Sequence, residues 1–402
     1  MKPSINYSKE DPKLCLLKEI LNIIDDKKTY RIIGRLGVHN IKKFQNMVKI
    51  LLGSMFFEYT ISNLVNELNR QNDLQTYFNI DEIPSEKQVY EYMSKVSPET
   101  INNMVNSILK PYYNKNRDVI VRYTVDATPV EVDINHVKKF IKPEVLEELN
   151  LKWGYSKTKG SYIGYKVTVT IDNKSKCPVS ILIHPGSPHD SKIFDNVLKE
   201  LKRRRLFKKR TIILFDKGYY SYKNYRIGLN IYRIIPIIFP KYKNTTQKLK
   251  DNLSYSLDIY NSRTYEQDKK EYNHLKHLLM EYLKNWKDLK PERGLIEDFF
   301  KVGKDTFGLG KFHKYTINSI SKSIYLCILL TALCVQQGYD TKTKMQQLAE
   351  DNIELKRPKK HRNKKKTKKS QNKNTSEVPY TTGQQQLPIT KTEKQTTLLT
   401  YI

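Results

Sequence analysis

The stretch Val119-Ile-Val-Arg-Tyr-Thr-Val125-Asp126 marks a change of pattern along the chain. Its β-branched residues predict a strand that ends at Asp126. A second apolar run, Thr211-Ile-Ile-Leu-Phe215, predicts a buried strand that ends at Asp216. Functional groups gather beyond the carboxyl ends of strands in α/β sheets, so both aspartates are candidate site residues. The alternative is that aspartate simply favours strand ends and turns.

The segments around these two strands alternate between strand and helix patterns. Residues 161–171 and 179–183, with a turn at 172–174, predict a hairpin. Further patterns predict helices over 190–201 and 222–229, and a strand over 231–239. The resulting order is strand, hairpin, helix, strand, helix and strand, which is typical of a mixed α/β fold.

Helical patterns flank this α/β region. Apolar residues recur at helical spacing from Ile41 through Leu68, and Ser85 is a candidate N-cap. Another amphipathic stretch, 100–109, is expected to end before Pro111. The helices before residue 118 could form a DNA-binding domain or a packing scaffold, and the pattern does not separate these two. Residues 293–307 and 319–337 predict two later helices, the second strongly apolar.

The chain is strongly basic. Its 72 Lys and Arg residues against 42 Asp and Glu give a formal charge of +30. Codon bias explains abundant Lys, Asn, Ile and Tyr, but it does not explain the shortage of acids. The excess favours a polyanionic partner such as nucleic acid. Residues 356–374 hold eleven Lys or Arg and no acid, and we expect them to be disordered.

The cysteines and the apolar runs indicate in which cellular compartment the protein works. The four cysteines form no CxxC pair, which argues against a zinc site or a disulfide framework. Cys327 and Cys334 lie in an apolar run and are expected to be small core residues. The first residues lack the apolar core of a signal peptide, and the run 324–335 is too short to span a bilayer. We expect an intracellular protein, cytoplasmic or nucleoid-associated, with no membrane partner.

A third candidate acid belongs to the pattern Arg293-x3-Glu297-x6-Lys304. In a helix, offsets of 4 and 11 residues bring these side chains to one face. The alternative is a solvated charged stripe, and Gly303 would weaken the helix by roughly 1 kcal/mol. Two strand-end aspartates and a helical glutamate are more informative together than singly.

In this order, Asp126, Asp216 and Glu297 resemble the acidic triad of DDE transposases from bacterial and archaeal insertion sequences. The motifs Asp126-Ala-Thr and Asp216-Lys-Gly-Tyr219 are similar to the first and second Asp motifs of that family. One subgroup carries Tyr-x2-Arg-x3-Glu-x6-Lys around the glutamate, and this chain departs from it only at Lys290, where the Tyr would stand. The resemblance runs from about Ile41 to Gln337.

The resemblance implies a ribonuclease-H-like catalytic core, an insertion before the glutamate and two Mg²⁺ ions, for which Mn²⁺ can substitute. It divides the chain into a helical, candidate DNA-binding domain over 1–117 and a first part of the core over 118–240. An insertion over 241–290, the glutamate and closing helices over 291–340, and a basic tail over 341–402 follow.

The implied activity is cleavage of DNA at the ends of a mobile element and joining of the 3′ ends to target DNA. Asp126 would bridge two metal ions, and Asp216 and Glu297 would each hold one. Arg293 and Lys304, with Lys217 and Lys290, are the candidate DNA contacts. In the family the Tyr helps to hold strained DNA, so Lys290 leaves a hairpin-forming step open.

We expect a homodimer or larger assembly on DNA, because two element ends must be paired. Two alternatives remain open at this point. One is a repurposed DNA-binding protein or related nuclease that does not transpose. The other is a structural or RNA-binding protein whose main feature is its basic tail.

Three smaller features carry further predictions. The last eight residues resemble the sliding-clamp-binding box of archaeal and eukaryotic replication proteins, with Gln395, Leu398, Tyr401 and Ile402 as its contacts. This suggests the replication clamp as a partner and an archaeal host. His189-Asp190 resembles a pair in the family, but helix capping is the preferred interpretation. Trp153 and Tyr155 could stack on a base, but core packing is the preferred interpretation.

Overall fold

The computed structural model of the chain describes residues 11–113, 120–133, 151–156, 160–208, 210–240, 245–253, 265–314 and 316–350. The basic run 356–374 and the terminal clamp-binding motif lie outside these residues. All statements below refer to the described ranges.

The first described range, 11–113, is helical, as the sequence predicts. Ser85 caps α6 in a reciprocal capping box with Gln88, which confirms the predicted cap. The last helix continues past Pro111, so the prediction that it ends before this proline is wrong. A proline in the last turn removes one backbone hydrogen bond, which costs little when the helix ends two residues later. The helices are α1 (Pro12–Asp25), α2 (Lys27–Arg35), α3 (Ile41–Phe56), α4 (Ile61–Arg70), α5 (Asn72–Phe78), α6 (Glu86–Lys95) and α7 (Pro98–Tyr113).

A mixed seven-stranded sheet follows, in the order β2-β3-β1-β5-β6, with β4 also paired to β3 and β7 to β1. β3 runs antiparallel to β1 and to β4, whereas β5 is parallel to β1 and β6 is parallel to β5. This confirms the mixed α/β prediction. The strands are β1 (Arg122–Val132), β2 (Lys152–Ser156), β3 (Gly160–Asp172), β4 (Cys177–Pro185), β5 (Ile212–Phe215), β6 (Ile235–Ile238) and β7 (Lys311–Phe312).

β1 does not end at Asp126, so that boundary was predicted wrongly. The strand continues along β3, with Asp126 opposite Val169 and Glu131 opposite Gly164. On its other side β1 pairs with β5 only through Val125 and with β7 only from Glu131. Asp126 therefore lies in the middle of a strand, at the point where one neighbour ends. Pro129 is tolerated in this stretch because one edge of the strand is unpaired there.

Helices cover both faces of the sheet and bury two apolar clusters. One cluster joins the N-terminal helices to α12 and α13, and the other packs α8, α9 and α11 against β5 and β6. The helices are α8 (Asp190–Arg203), α9 (Tyr222–Arg226, continued by a π turn over Ile227–Ile231), α10 (Thr245–Asn252), α11 (Tyr265–Lys284), α12 (Lys290–Phe307), α13 (Ile317–Gln336) and α14 (Lys342–Glu350). Short 3₁₀ turns occupy Lys217–Tyr219 and Trp286–Leu289.

The predicted strand over 231–239 is shorter in the structure. Ile231 ends the π turn, and the strand begins only at Ile235. Between them Arg233 adopts a left-handed backbone with φ of 51°, which interrupts the extended conformation before the strand begins.

The helix α13 is long and apolar enough to cross a membrane by length and composition. However, 78% of its apolar window is buried inside the protein, as expected of a core helix. Cys327 and Cys334 lie in this helix and are fully buried, which confirms their predicted place in the core.

Candidate active site

Three separate elements bring Asp126, Asp216 and Glu297 to one place. Val125 and Phe215 are paired neighbours in parallel strands, so Asp126, within β1, and Asp216, just after β5, lie side by side at the same level of the sheet. α12 packs against β1 and supplies Glu297 from its second turn. The convergence expected from the sequence pattern is therefore present.

Arg293 lies at the centre of this acidic cluster. Its Nη1 atom donates to Oε1 of Glu297 at 2.7 Å, one helical turn away. Its Nη2 atom lies 3.3 Å from Oδ1 of Asp216 and 3.7 Å from Oδ2 of Asp126. The guanidinium carbon also lies 6.0 Å from the centre of the Phe239 ring. One cation therefore compensates three carboxylates, with an aromatic ring beside it.

The pKa of Asp126 is strongly shifted by its surroundings. Its pKa is raised to about 7, mainly by burial and to a smaller extent by the neighbouring carboxylates of Asp216 and Asp190. The backbone N–H of Ala127, 2.8 Å from Oδ1, and the positive charge of Arg293 act in the opposite direction. Near neutral pH the carboxyl of Asp126 is therefore about half protonated, and a bound divalent cation would favour its ionised form.

A fourth acid, Asp190, lies next to the cluster. In the sequence it was identified only as part of the His189-Asp190 pair, for which helix capping is the preferred interpretation. Its Oδ1 atom is 2.5 Å from Nζ of Lys166, whose side chain is only 13% exposed. A Cβ atom on Gly218 would lie 2.4 Å from Oδ2 of Asp190, so the glycine makes room for this carboxylate. The available signal was the His189-Asp190 pair itself.

Tyr219 is a buried neighbour of Asp190 and Asp126. It is 1% exposed, and its pKa is raised well above the usual value by burial and by nearby Asp190 and Asp126. Its phenol therefore stays protonated and can donate a hydrogen bond.

The donor set suits a hard divalent cation, although within the described ranges no three acidic, His or Cys side chains are arranged to hold one metal ion. Carboxylate oxygens are the ligands that Mg²⁺ prefers. In this structure the guanidinium of Arg293 supplies the positive charge on which the three carboxylates converge. The chemistry of the residues thus fits the implied metal, with Arg293 as the present counter-ion.

The other predicted DNA contacts lie on α12 and in the turn after β5. Lys304 is half-buried on α12, seven residues after Glu297. Lys217 is exposed in the turn after Asp216, and Lys290 is exposed at the first position of α12. The side chain of His189 accepts from the backbone N–H of Ser191, which confirms its predicted capping role.

Trp153 and Tyr155 are not core residues, so the preferred interpretation was wrong. They are 69% and 66% exposed on β2. β2 is a peripheral strand in which only Gly154 is buried, so the two aromatic residues face solvent.

Comparison with known proteins agrees with this geometry. The chain matches the family described as Transposase DDE domain over residues 119–335, which is more than half of its 402 residues. This range runs from the segment before β1 into α13 and includes all three acids. A comparison with curated protein sequences found no match. The chain belongs to the family of transposases with a DDE domain.

Proposed function

We propose that this protein cleaves DNA at the ends of its own mobile element and joins the resulting 3′ ends to target DNA. The observation that carries the proposal is the convergence of Asp126, Asp216 and Glu297 on Arg293. Phosphodiester transfer of this kind requires no protein nucleophile, because a water molecule or a DNA hydroxyl attacks the phosphorus.

A ribonuclease-H-like core is supported by the strand directions. Three antiparallel strands, β4, β3 and β1, continue into two parallel ones, β5 and β6. We take residues 118–240 and 291–340 as the two parts of this core, with 241–290 inserted before the glutamate. Residues 1–117 would be a DNA-binding domain and 341–402 a basic tail.

Asp126, Asp216 and Glu297 would hold two Mg²⁺ ions, or Mn²⁺ in their place. When bound, the ions would activate the attacking oxygen and stabilise the leaving one. Arg293 keeps the carboxylates together before the ions arrive. When the ions neutralise the carboxylates, the planar guanidinium of Arg293 would be available to bind a DNA phosphate. Lys304, Lys217 and Lys290 would contact further phosphates without reading sequence.

Two element ends must be paired for transposition, which favours a dimer or larger assembly on DNA. We also propose that Gln395, Leu398, Tyr401 and Ile402 bind the replication sliding clamp of an archaeal host. The enzyme would then work in the cytoplasm, at the nucleoid.

The second candidate function is that of a nuclease or DNA-binding protein that no longer transposes. The departure at Lys290 is the observation in its favour.

The test is a nicking and strand-transfer assay on duplexes carrying the element ends, with Mg²⁺, Mn²⁺ or EDTA. Asp126→Asn, Asp216→Asn and Glu297→Gln should each abolish cleavage and leave DNA binding largely intact. The matched control is Asp298→Asn, next to Glu297 on the same helix, where the carboxylate pairs with Lys301 at the surface. Cleavage that persists in any of the three variants removes that residue from the site. Cleavage without strand transfer favours the nuclease.

A further inference from the structure

A broad cleft opens at the end of the sheet away from the three acids. It has a volume of about 1180 Å³. One wall is the last three turns of α7, and the other consists of the start of β1, the β3–β4 turn and residues 203–208 after α8. β1 begins at this cleft and reaches Asp126 only four residues after Arg122, so this basic cleft is separate from the acidic cluster.

The lining of the basic cleft is strongly positive. It includes seven Lys or Arg side chains and only two acids, Asp172 and Glu292. Both acids are already engaged, and Glu292 compensates only Arg122 among the seven cations. Oδ2 of Asp172 accepts from the backbone N–H and the hydroxyl of Ser175, at 3.0 and 2.6 Å. Glu292 accepts from Arg122 at 2.5 Å and from Asn173 at 2.8 Å.

Three of the cations face the solvent without a counter-charge. Lys110, Arg205 and Lys208 are exposed. Within the described parts of the chain no carboxylate lies within ion-pair distance of any of them. Nearby amide and hydroxyl groups of Asn103 and Ser107 add hydrogen-bonding capacity. Unpaired cations beside neutral polar side chains are the chemistry that contacts a phosphodiester backbone.

The basic cleft and the acidic cluster share one face of β1 and one helix. Arg122 and Asp126 are four residues apart, so their side chains point to the same face, about 13 Å from each other along the strand. Consecutive residues of α12 reach both places, since Glu292 binds Arg122 and Arg293 lies among the acids. Duplex DNA advances roughly 3.4 Å per base pair, so about four base pairs span this distance.

We infer that the basic cleft binds the phosphate backbone of the duplex whose strand is cut, a few base pairs from the cut. This inference rests on the proposed function, because it describes where the DNA runs once its cut site lies at the three acids. The cleft adds affinity and position but no base recognition, since its cations meet phosphates and not base edges.

The experiment measures binding of a fluorescein-labelled 30-base-pair duplex by anisotropy, over a range of salt concentrations, with the full chain. The test variant combines Lys110→Gln, Arg205→Asn and Lys208→Gln. Asn is chosen at position 205 because the backbone there is left-handed, with φ of 56°, which Asn tolerates. The matched control, Lys250→Gln, Lys270→Gln and Lys284→Gln, removes three exposed charges from α10 and α11, which lie outside the proposed DNA-binding domain. Circular dichroism melts verify that both variants fold.

The test variant should bind at least tenfold more weakly near 0.1 M salt. Each lost phosphate contact should flatten the plot of log K against log salt by about 0.9. The control should keep the slope of the wild type. Equal slopes in all three proteins, or equal losses in both variants, would overturn the inference. So would a loss of affinity confined to an RNA duplex of equal length, because the occupant would then be RNA.

Metal-dependent nicking separates this inference from the proposed function. A wild type that never nicks any DNA contradicts the function, yet a flattened slope in the test variant still places DNA in the cleft. Normal nicking with an unchanged slope contradicts the cleft alone.

Discussion

The guanidinium of Arg293 lies against the carboxylate of Asp216, with Nη2 3.3 Å from Oδ1. Asp216 follows a buried strand, whereas Arg293 comes from the first turns of a helix far along the chain. The contact therefore exists only when the helix α12 is docked on the sheet. The positive charge that balances the three acids is therefore in place only when this helix is docked.

Replacing this arginine should expose the repulsion between the acids. Arg293→Ala should lower the free energy of unfolding in EDTA by roughly 1–3 kcal/mol, because carboxylates that it satisfied lose their partner. Mg²⁺ should restore more stability to the variant than it adds to the wild type, since it no longer competes with a resident cation. Urea denaturation with and without Mg²⁺ measures both effects, with Arg293→Lys as the control that keeps the charge. Identical gains from Mg²⁺ in all three proteins would contradict this role.

Stability in EDTA should fall as the pH rises towards 7, because of Asp126. Burial raises its pKa from 3.8 to about 7 in the folded protein, so the folded state binds more protons than the unfolded state between these values. The free energy of unfolding therefore decreases with rising pH across this window. Asp126→Asn removes the ionisation and should be more stable than the wild type above pH 7. Thermal melts from pH 5 to 8 test this, and parallel curves for both proteins would refute it.

Metal binding should show the opposite dependence on pH. A protonated Asp126 is a poor ligand, so the affinity for Mg²⁺ should decrease as the pH falls through about 7. Calorimetric titration of Mg²⁺ at pH 6 and pH 8 measures the difference. The prediction fails if the two affinities agree within error.

Gly218 should be required for cleavage because of the space that it leaves. Gly218→Ala would place a methyl group 2.4 Å from Oδ2 of Asp190 and displace the carboxylate or the turn after Asp216. We expect at least a tenfold loss of cleavage. Gly294→Ala is the matched control, since a Cβ atom there has open space and should stabilise the helix by up to about 1 kcal/mol. Equal activity in both variants would show that the space beside Gly218 is not needed.

The residue at position 290 should decide whether hairpin products form. Lys290→Tyr restores the pattern of the related subgroup at the exposed start of α12. We expect hairpin ends only with this variant, and denaturing gels of the cleaved element ends measure them. Hairpins made by the wild type would show that Lys290 does not prevent this step.

The terminal motif should bind a replication clamp by itself. A peptide over residues 390–402 should bind the host clamp with a Kd in the micromolar range, measured by calorimetry. Gln395→Ala or Tyr401→Ala should abolish the heat signal, because each removes one of the predicted contacts. No heat from the unaltered peptide at high concentration would exclude this partner.

Local pattern alone determined much of the fold and named the three acids. The buried run before Asp216 is the strand β5, and the spacing of Arg293 and Glu297 places both on one face of a helix. Likewise, Ser85 caps its helix as expected. These features could be predicted because strand and helix periods, capping and burial depend on residues within a few positions of each other.

Tertiary structure alone decided the features that join distant segments. Pairing with β3 carries β1 past Asp126, and docking of α12 places Arg293 among the acids. The position of Asp190 beside Gly218, the exposure of Trp153 and the seven cations of the basic cleft have the same origin. Each depends on which surfaces pack together and on which strand remains at the edge of the sheet. Such long-range pairings leave no periodic signal in a single sequence, because they are set by the sum of contacts between elements far apart in the chain.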